Sequence, residues 1–176
     1  IIAVSTVGLQ TGIVVFSSKE PKTVNSFLTL GLILSIIAST ISFILFSHIE
    51  VSLLVIGTSF FGLYTYSILG KKKYPKFSLL TILQKPSSIA LALVFYYLIG
   101  LEGIILGIAI GYLLFSKGIY DLILKRNFDL SQIKPKIKFI SNNYISESTH
   151  NLVWWSDRFI LLPLYGFSFL GNYQLG

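Results

Sequence analysis

At 176 residues the chain has the length of a single soluble domain, but it is 53% hydrophobic and only 12% charged, with mean hydropathy +0.77. A soluble domain carries about 25% charged residues, so too few are present here to solvate such a surface. Net charge is +7, which on a soluble chain would suggest nucleic acid; on a chain this apolar, the placement of the lysines decides the question.

The absence of cysteine excludes disulfides, thiol nucleophiles and thiolate metal sites. With no methionine and Ile1 at its start, the chain is expected to be an internal piece of a longer one, and no cleavable signal peptide is legible in it. A hydrocarbon core of about 30 Å needs roughly 20 helical residues. Ile1 to Phe16 reads as the second half of a span, and Phe27 to Phe46 is an uncharged full span. Val51 to Leu69 follows, then Phe77 to Ile99, interrupted by Gln84, Lys85 and Pro86. Leu101 to Tyr120 is the next, with Lys117 near its end. Phe139 to Leu162 is long enough but carries Glu147, Asp157 and Arg158; a turn over Pro163 to Phe169 then leads to a possible further span from Leu170.

Basic residues alternate along this series. Lys19 and Lys22, then Lys71, Lys72, Lys73 and Lys76, then Lys117, Lys125, Arg126, Lys134, Lys136 and Lys138 fall in every second connection. The connections at 47–50, 100–102 and 163–169 have none. Twelve of the 14 basic residues thus share one side, which the positive-inside rule makes cytoplasmic. Topology accounts for the lysines, and nucleic-acid binding loses its support.

Helices in lipid associate through small residues. Gly103, Gly107 and Gly111, with Gly118 further on, form a stripe suited to close helix packing, and Gly31, Ser35 and Ser39 form a weaker one. GxxxG supports a helical bundle without identifying a family.

Two places put charge where it costs about 2.5 kcal/mol or more at mid-membrane. Lys85 lies about 13 Å along the helix from Lys76, beside Pro86, which cannot donate to the Ile82 carbonyl and should kink the helix. Either the site is a polar notch facing a cavity, or Lys85 snorkels back to the headgroups. In the last span Asn143, Glu147, Asn151, Trp154 and Arg158 fall within about 80° of one another on a helical wheel, with His150 beside them. Such a stripe suits a cavity wall; the alternatives are an interhelical hydrogen-bond network and an amphipathic surface helix, the latter disfavoured by too few basic residues. Arg158 offers a donor fork for phosphate or carboxylate. Glu147 is spaced to meet His150 or Asn151, and a buried carboxylate beside a histidine is a candidate for proton coupling. No zinc spacing, phosphate loop or dinucleotide fingerprint is present, so neither a metal nor a cofactor is expected. The short non-cytoplasmic connections leave no room for an extramembrane catalytic domain, and an enzyme is not expected.

From Lys134 to Gly176, the basic run KPKIKFIS, a polar helix ending in WWSDRFILLPLYG, and FLGNYQLG resemble the start of the second half of O-antigen-type polysaccharide flippases. These belong to the multidrug/oligosaccharidyl-lipid/polysaccharide (MOP) exporter superfamily, which includes the MATE exporters. GLQTGIVVFSSKE resembles the end of that family's second helix, and GLEGIILGIAIGYLL its fifth-to-sixth helix turn. The resemblance implies an all-α, polytopic membrane helical bundle, part of a two-lobe transporter covering about helices 2 to 7 and the start of 8. Residues 1–122 would be first-lobe helices, 123–138 a basic cytoplasmic inter-lobe connection, and 139–176 the start of the second lobe. It implies alternating access in the cytoplasmic membrane, with a polyprenyl-(pyro)phosphate-linked oligosaccharide as cargo. Arg158 and Lys85 become anion candidates, and Asn143, Glu147, Asn151, Trp154 and Asp157 cavity candidates, with H⁺ or Na⁺ as a possible coupling ion. The other readings are a cation-coupled multidrug exporter and a non-transporting membrane assembly subunit.

Overall fold

The computed structural model describes residues 6, 8–17, 20–124 and 130–175, with side chains described throughout these except at 21, 22, 122, 124, 154, 155 and 157–175. Among the described residues seven helices follow one another: α1 (Leu9–Phe16), α2 (Pro21–Phe46), α3 (Ile49–Gly70), α4 (Tyr74–Ile99), α5 (Leu101–Leu114), α6 (Lys117–Leu124) and α7 (Ile133–Leu175). No strand occurs among the described residues. Three helices, α2, α3 and α4, with 26, 22 and 26 residues, are long and apolar enough to cross a membrane. A helix satisfies its own backbone groups, which is what lets such segments lie in hydrocarbon.

Local chemistry sets their ends. Pro21 and Pro75 stand in the first turns of α2 and α4, where a missing N–H costs nothing. Ser47 closes α2 in the left-handed conformation (φ 56°), its N–H donating to the Phe43 carbonyl at 2.8 Å. Gly100 closes α4 and opens α5 at φ 79° and ψ −149°, a conformation that L side chains avoid.

Two expectations need correcting. The span expected over 101–120 is two helices, α5 and α6, parted at Phe115 and Ser116; the Ser116 N–H bonds the Leu113 carbonyl at 3.0 Å, a tight turn ending α5. The turn expected over Pro163–Phe169 is helical, and α7 runs unbroken for 43 residues, so no separate helix begins at Leu170. Loss of the single backbone bond at Pro163 does not end it. At 1.5 Å per residue α7 is roughly 65 Å long, about twice a hydrocarbon core.

Helix α3 is central, touching α1, α2, α4, α5 and α6, whereas α7 packs on α1 and α2. The apolar core joins Leu9 and Ile13 of α1, Phe27, Leu28 and Leu32 of α2, Phe60 and Leu63 of α3 and Ile119 of α6. Outside it, Ile36, Ile37, Ile41 and Ile44 on α2 and Ile82, Ile89, Leu93 and Tyr97 on α4 are exposed. Exposed faces this rich in apolar side chains suit lipid or another protein segment rather than water.

The glycine stripe does what its spacing predicts. A Cβ on Gly103 would strike the Phe95 carbonyl, on Gly107 the backbone of Leu91 and Ala92, and on Gly111 Ser88. These contacts let α4 and α5 lie backbone to backbone. Gly118 departs from the stripe: it belongs to α6 and meets the Tyr64 ring of α3. In the weaker stripe, Gly31 faces Leu63, the Ser35 hydroxyl donates to the Gly31 carbonyl at 2.6 Å, and that of Ser39 to the Ser52 carbonyl of α3 at 3.0 Å.

Candidate functional site

The bundle has two chemically different ends. At one, Ser17 meets Gly70, Gly118 meets Tyr64, and Lys136 pairs with Glu20 at 3.3 Å. The Lys136 ammonium also lies 4.4 Å from the Phe16 ring centre, and that of Lys76 5.7 Å from the Tyr64 ring centre. Lys71, Lys72 and Lys73 are exposed here too, so the connections rich in lysine converge, as their alternation predicts. Lys19, Lys125 and Arg126 lie outside the described residues, as does the side chain of Lys22.

Between the ends, α7 carries the polar stripe. Its lower part packs on α1 antiparallel: Phe139 meets Phe16 with ring centres 5.4 Å apart, and the backbone of Tyr144 lies against Gly8. Glu147, half-buried, accepts a bond from the Gly8 N–H at 3.0 Å and a short one from the Thr11 hydroxyl. Its carboxylate therefore caps the start of α1 from another helix. Gly8 has no side chain to cap with, and the N-terminal end of the helix dipole favours a negative group. The contact expected within α7, from Glu147 to His150 or Asn151, is replaced by this one across to α1. Asn143 is half-buried and donates to the Phe139 carbonyl of its own helix at 3.0 Å. Asn151 is half-buried and His150 exposed. The side chains of Trp154, Asp157 and Arg158 lie outside the described residues.

The polar interruption in α4 divides between two faces. Gln84 and Ser88 are buried, Gln84 Nε2 donating to Ser88 Oγ at 2.8 Å, and Ala92 continues their face against α5. Positions i, i+4 and i+8 share a helix face, so packing on the glycine stripe draws in 84, 88 and 92 and turns Lys85 outwards. Lys85 is exposed, on the side of α4 that also carries Ile82 and Ile89.

At the end without lysines, a group unnoticed in the sequence comes together. His48 Nδ1 lies 2.7 Å from Glu50 Oε1, and ligand atoms of His48, Glu50 and Glu102 all fall within 4.8 Å of one another. Glu50 is buried at 7% exposure, while His48 and Glu102 are exposed. The signal available in the sequence was their position: all three occur in the short connections that carry no Lys or Arg.

Comparisons of the chain with protein-family models, curated proteins and solved structures find no match.

Proposed function

We propose that the chain is part of a membrane transporter that moves a polyprenyl-(pyro)phosphate-linked oligosaccharide across the cytoplasmic membrane by alternating access. The observation that carries this reading is the direction of the α7 stripe. Glu147 turns towards α1 rather than away from the bundle, so the face it shares with Asn143 and Asn151 borders the other helices. A polar face directed into a bundle of apolar helices is the arrangement a hydrophilic cargo needs. The motifs around WWSDRFILLPLYG supply the cargo class by resemblance, with a lipid pyrophosphate meeting Arg158, and sugars meeting Asn143, Asn151, Trp154 and Asp157; Lys85, turned outwards beside Ile82 and Ile89, fits the snorkelling alternative instead. In this reading residues 1–122 belong to a first lobe and 139–176 open a second. The limited packing of α7, on α1 and α2, agrees with a lobe boundary near 123–138. The lysine-rich end is cytoplasmic by the positive-inside rule.

The test is complementation in the full-length protein. Arg158→Ala is expected to abolish surface glycan at normal expression and membrane insertion, and Lys85→Ala, on the outward face, to leave it unchanged; wild-type glycan in Arg158→Ala removes the anion site. Drug resistance without a glycan defect would point to a multidrug exporter. The Glu147 contact itself also suits an assembly subunit, since it ties two helices together. In that case Asn151→Ala would change oligomer formation and leave transport untouched.

A further inference from the structure

We infer that the turn between α3 and α4 is a binding surface for the headgroup of an anionic membrane phospholipid, held by the ammonium groups of Lys71, Lys72 and Lys73 with Lys76 and Lys117 beside them. This surface stands apart from the α7 stripe and does not rest on any reading of the cargo.

The turn consists of lysine alone. Helix α3 ends at Gly70 and α4 begins at Tyr74, so Lys71, Lys72 and Lys73 are the whole connection. The Lys72 N–H donates to the Leu69 carbonyl at 2.8 Å and the Lys73 N–H to the Ile68 carbonyl at 3.2 Å, the paired bonds of a Schellman helix end. Lys72 takes the left-handed position of that motif (φ 57°), which glycine ordinarily fills. Closing α3 therefore gives no reason for a lysine there. The Lys71 N–H donates to the Ser67 carbonyl at 3.3 Å, so all three backbone donors of the turn are engaged by α3, and what it offers an anion is its side chains.

Two further lysines reach the same corner. The Lys76 ammonium lies 5.7 Å from the Tyr64 ring centre, and Gly118 packs against that ring, which brings Lys117 alongside. All five lysines are exposed. Positions 71–76 hold no acidic residue, and the nearest acid on α6 is Asp121, one turn beyond Lys117. Among the described residues no carboxylate forms an ion pair with any of the five.

The positive-inside preference is met wherever in a connection its lysines fall. It does not call for three in succession within a fixed turn, where like charges repel. A shared anion relieves that repulsion, and the position of the turn selects the anion. Helices α3 and α4 are both long enough to cross a membrane, so the turn joining them stands at the level of the headgroups, with exposed Tyr74 at the boundary. Clustered lysines directly at the end of a spanning helix are the arrangement that attracts acidic lipid. Lysine meets phosphate as a point charge, without the fixed fork of arginine, which suits a phosphodiester that moves in the membrane plane.

Native mass spectrometry of the full-length protein in detergent, titrated with phosphatidylglycerol or phosphatidylcholine, supplies the test. The first phosphatidylglycerol is expected to bind more tightly than the first phosphatidylcholine. Lys72→Gly keeps the left-handed backbone and removes one charge; Lys71→Gln removes one at an ordinary right-handed position (φ −81°). Each is expected to weaken phosphatidylglycerol binding roughly five-fold, the equivalent of about 1 kcal/mol per lysine. Gel filtration confirms that both fold. The pair Lys134→Gln and Lys138→Gln, exposed on α7, is expected to leave binding unchanged. Equal binding of the two lipids by the wild type, or wild-type affinity in both turn variants, overturns the assignment. An equal loss in the α7 pair also overturns it, since the attraction would then belong to the whole basic end. Inorganic phosphate that displaces phosphatidylglycerol better than chloride does at the same ionic strength would give the surface to a soluble phosphate instead.

Discussion

Glu147 shows how one residue can satisfy a structural need and still stand where a functional one is wanted. Its carboxylate bonds the Gly8 N–H and the Thr11 hydroxyl, joining α7 to α1 across 139 positions of sequence. Glu147→Ala removes the acceptor for a part-buried backbone N–H, a loss of about 1–3 kcal/mol when such a donor is left unpaired. Polar contacts between membrane helices average only about 0.6 kcal/mol, because alternative partners exist in the membrane. Glu147→Ala should therefore lower the midpoint of thermal unfolding in detergent more than Thr11→Val does. Glu147→Gln, which keeps an acceptor oxygen, should fall between Glu147→Ala and the wild type. A wild-type midpoint for Glu147→Ala would mean that the contact contributes nothing. If transport fails in Glu147→Gln while Glu147→Ala, with the lower midpoint, fails no more completely, the candidacy of Glu147 for proton coupling gains support.

At the scale of elements, the α4–α5 pair rests on glycine. A Cβ added to Gly107 would lie 2.5 Å from the Ala92 nitrogen, and backbone cannot swing aside as a side chain does. Gly107→Ala should therefore push the helices apart and cost about 1–3 kcal/mol, the usual range for overpacking. Gly62→Ala is the control, since a Cβ there would first meet the movable end of Gln10. A thermal-unfolding comparison in detergent checks the pair, with a large fall expected only for Gly107→Ala.

This hairpin was legible because small residues at i, i+4 and i+8 have one geometric consequence whatever the neighbour. The same periodicity misled at Gly118, where the break at Phe115–Ser116 rotates the chain onto α3. That break follows from a turn three residues tight, which an apolar run does not announce. Lys85 was ambiguous for a related reason. Hydropathy marks a polar interruption but not its rotation, and only the partner stripe on α5 decides that Gln84 and Ser88 go inside. The group at His48, Glu50 and Glu102 was invisible because its members come from connections 52 residues apart along the chain, brought together by the side-by-side packing of α3 and α5.

For the whole molecule, the separation of charge into two ends is what makes a membrane orientation testable. Contacts Ser17–Gly70, Tyr64–Gly118 and Glu20–Lys136 gather the lysine-bearing connections, while His48, Glu50 and Glu102 gather at the opposite end. Read through the preference for Lys and Arg on the cytoplasmic side, such an arrangement would put the lysine-bearing end towards the cell interior. The absence of cysteine from all 176 residues makes this directly testable, because an introduced thiol is the only one this segment contributes. Ser47→Cys is nearly isosteric at the exposed turn after α2, so the left-handed backbone there bears no new burden; Lys73→Cys marks the exposed connection before α4. In intact cells a membrane-impermeant maleimide should label Ser47→Cys in the full-length protein, otherwise cysteine-free, and leave Lys73→Cys untouched until the membrane is opened. The reverse pattern would invert the orientation. Labelling of both positions in intact cells would show that the two ends do not lie on opposite sides of a sealed membrane, and the spanning arrangement of α2, α3 and α4 would fall with it.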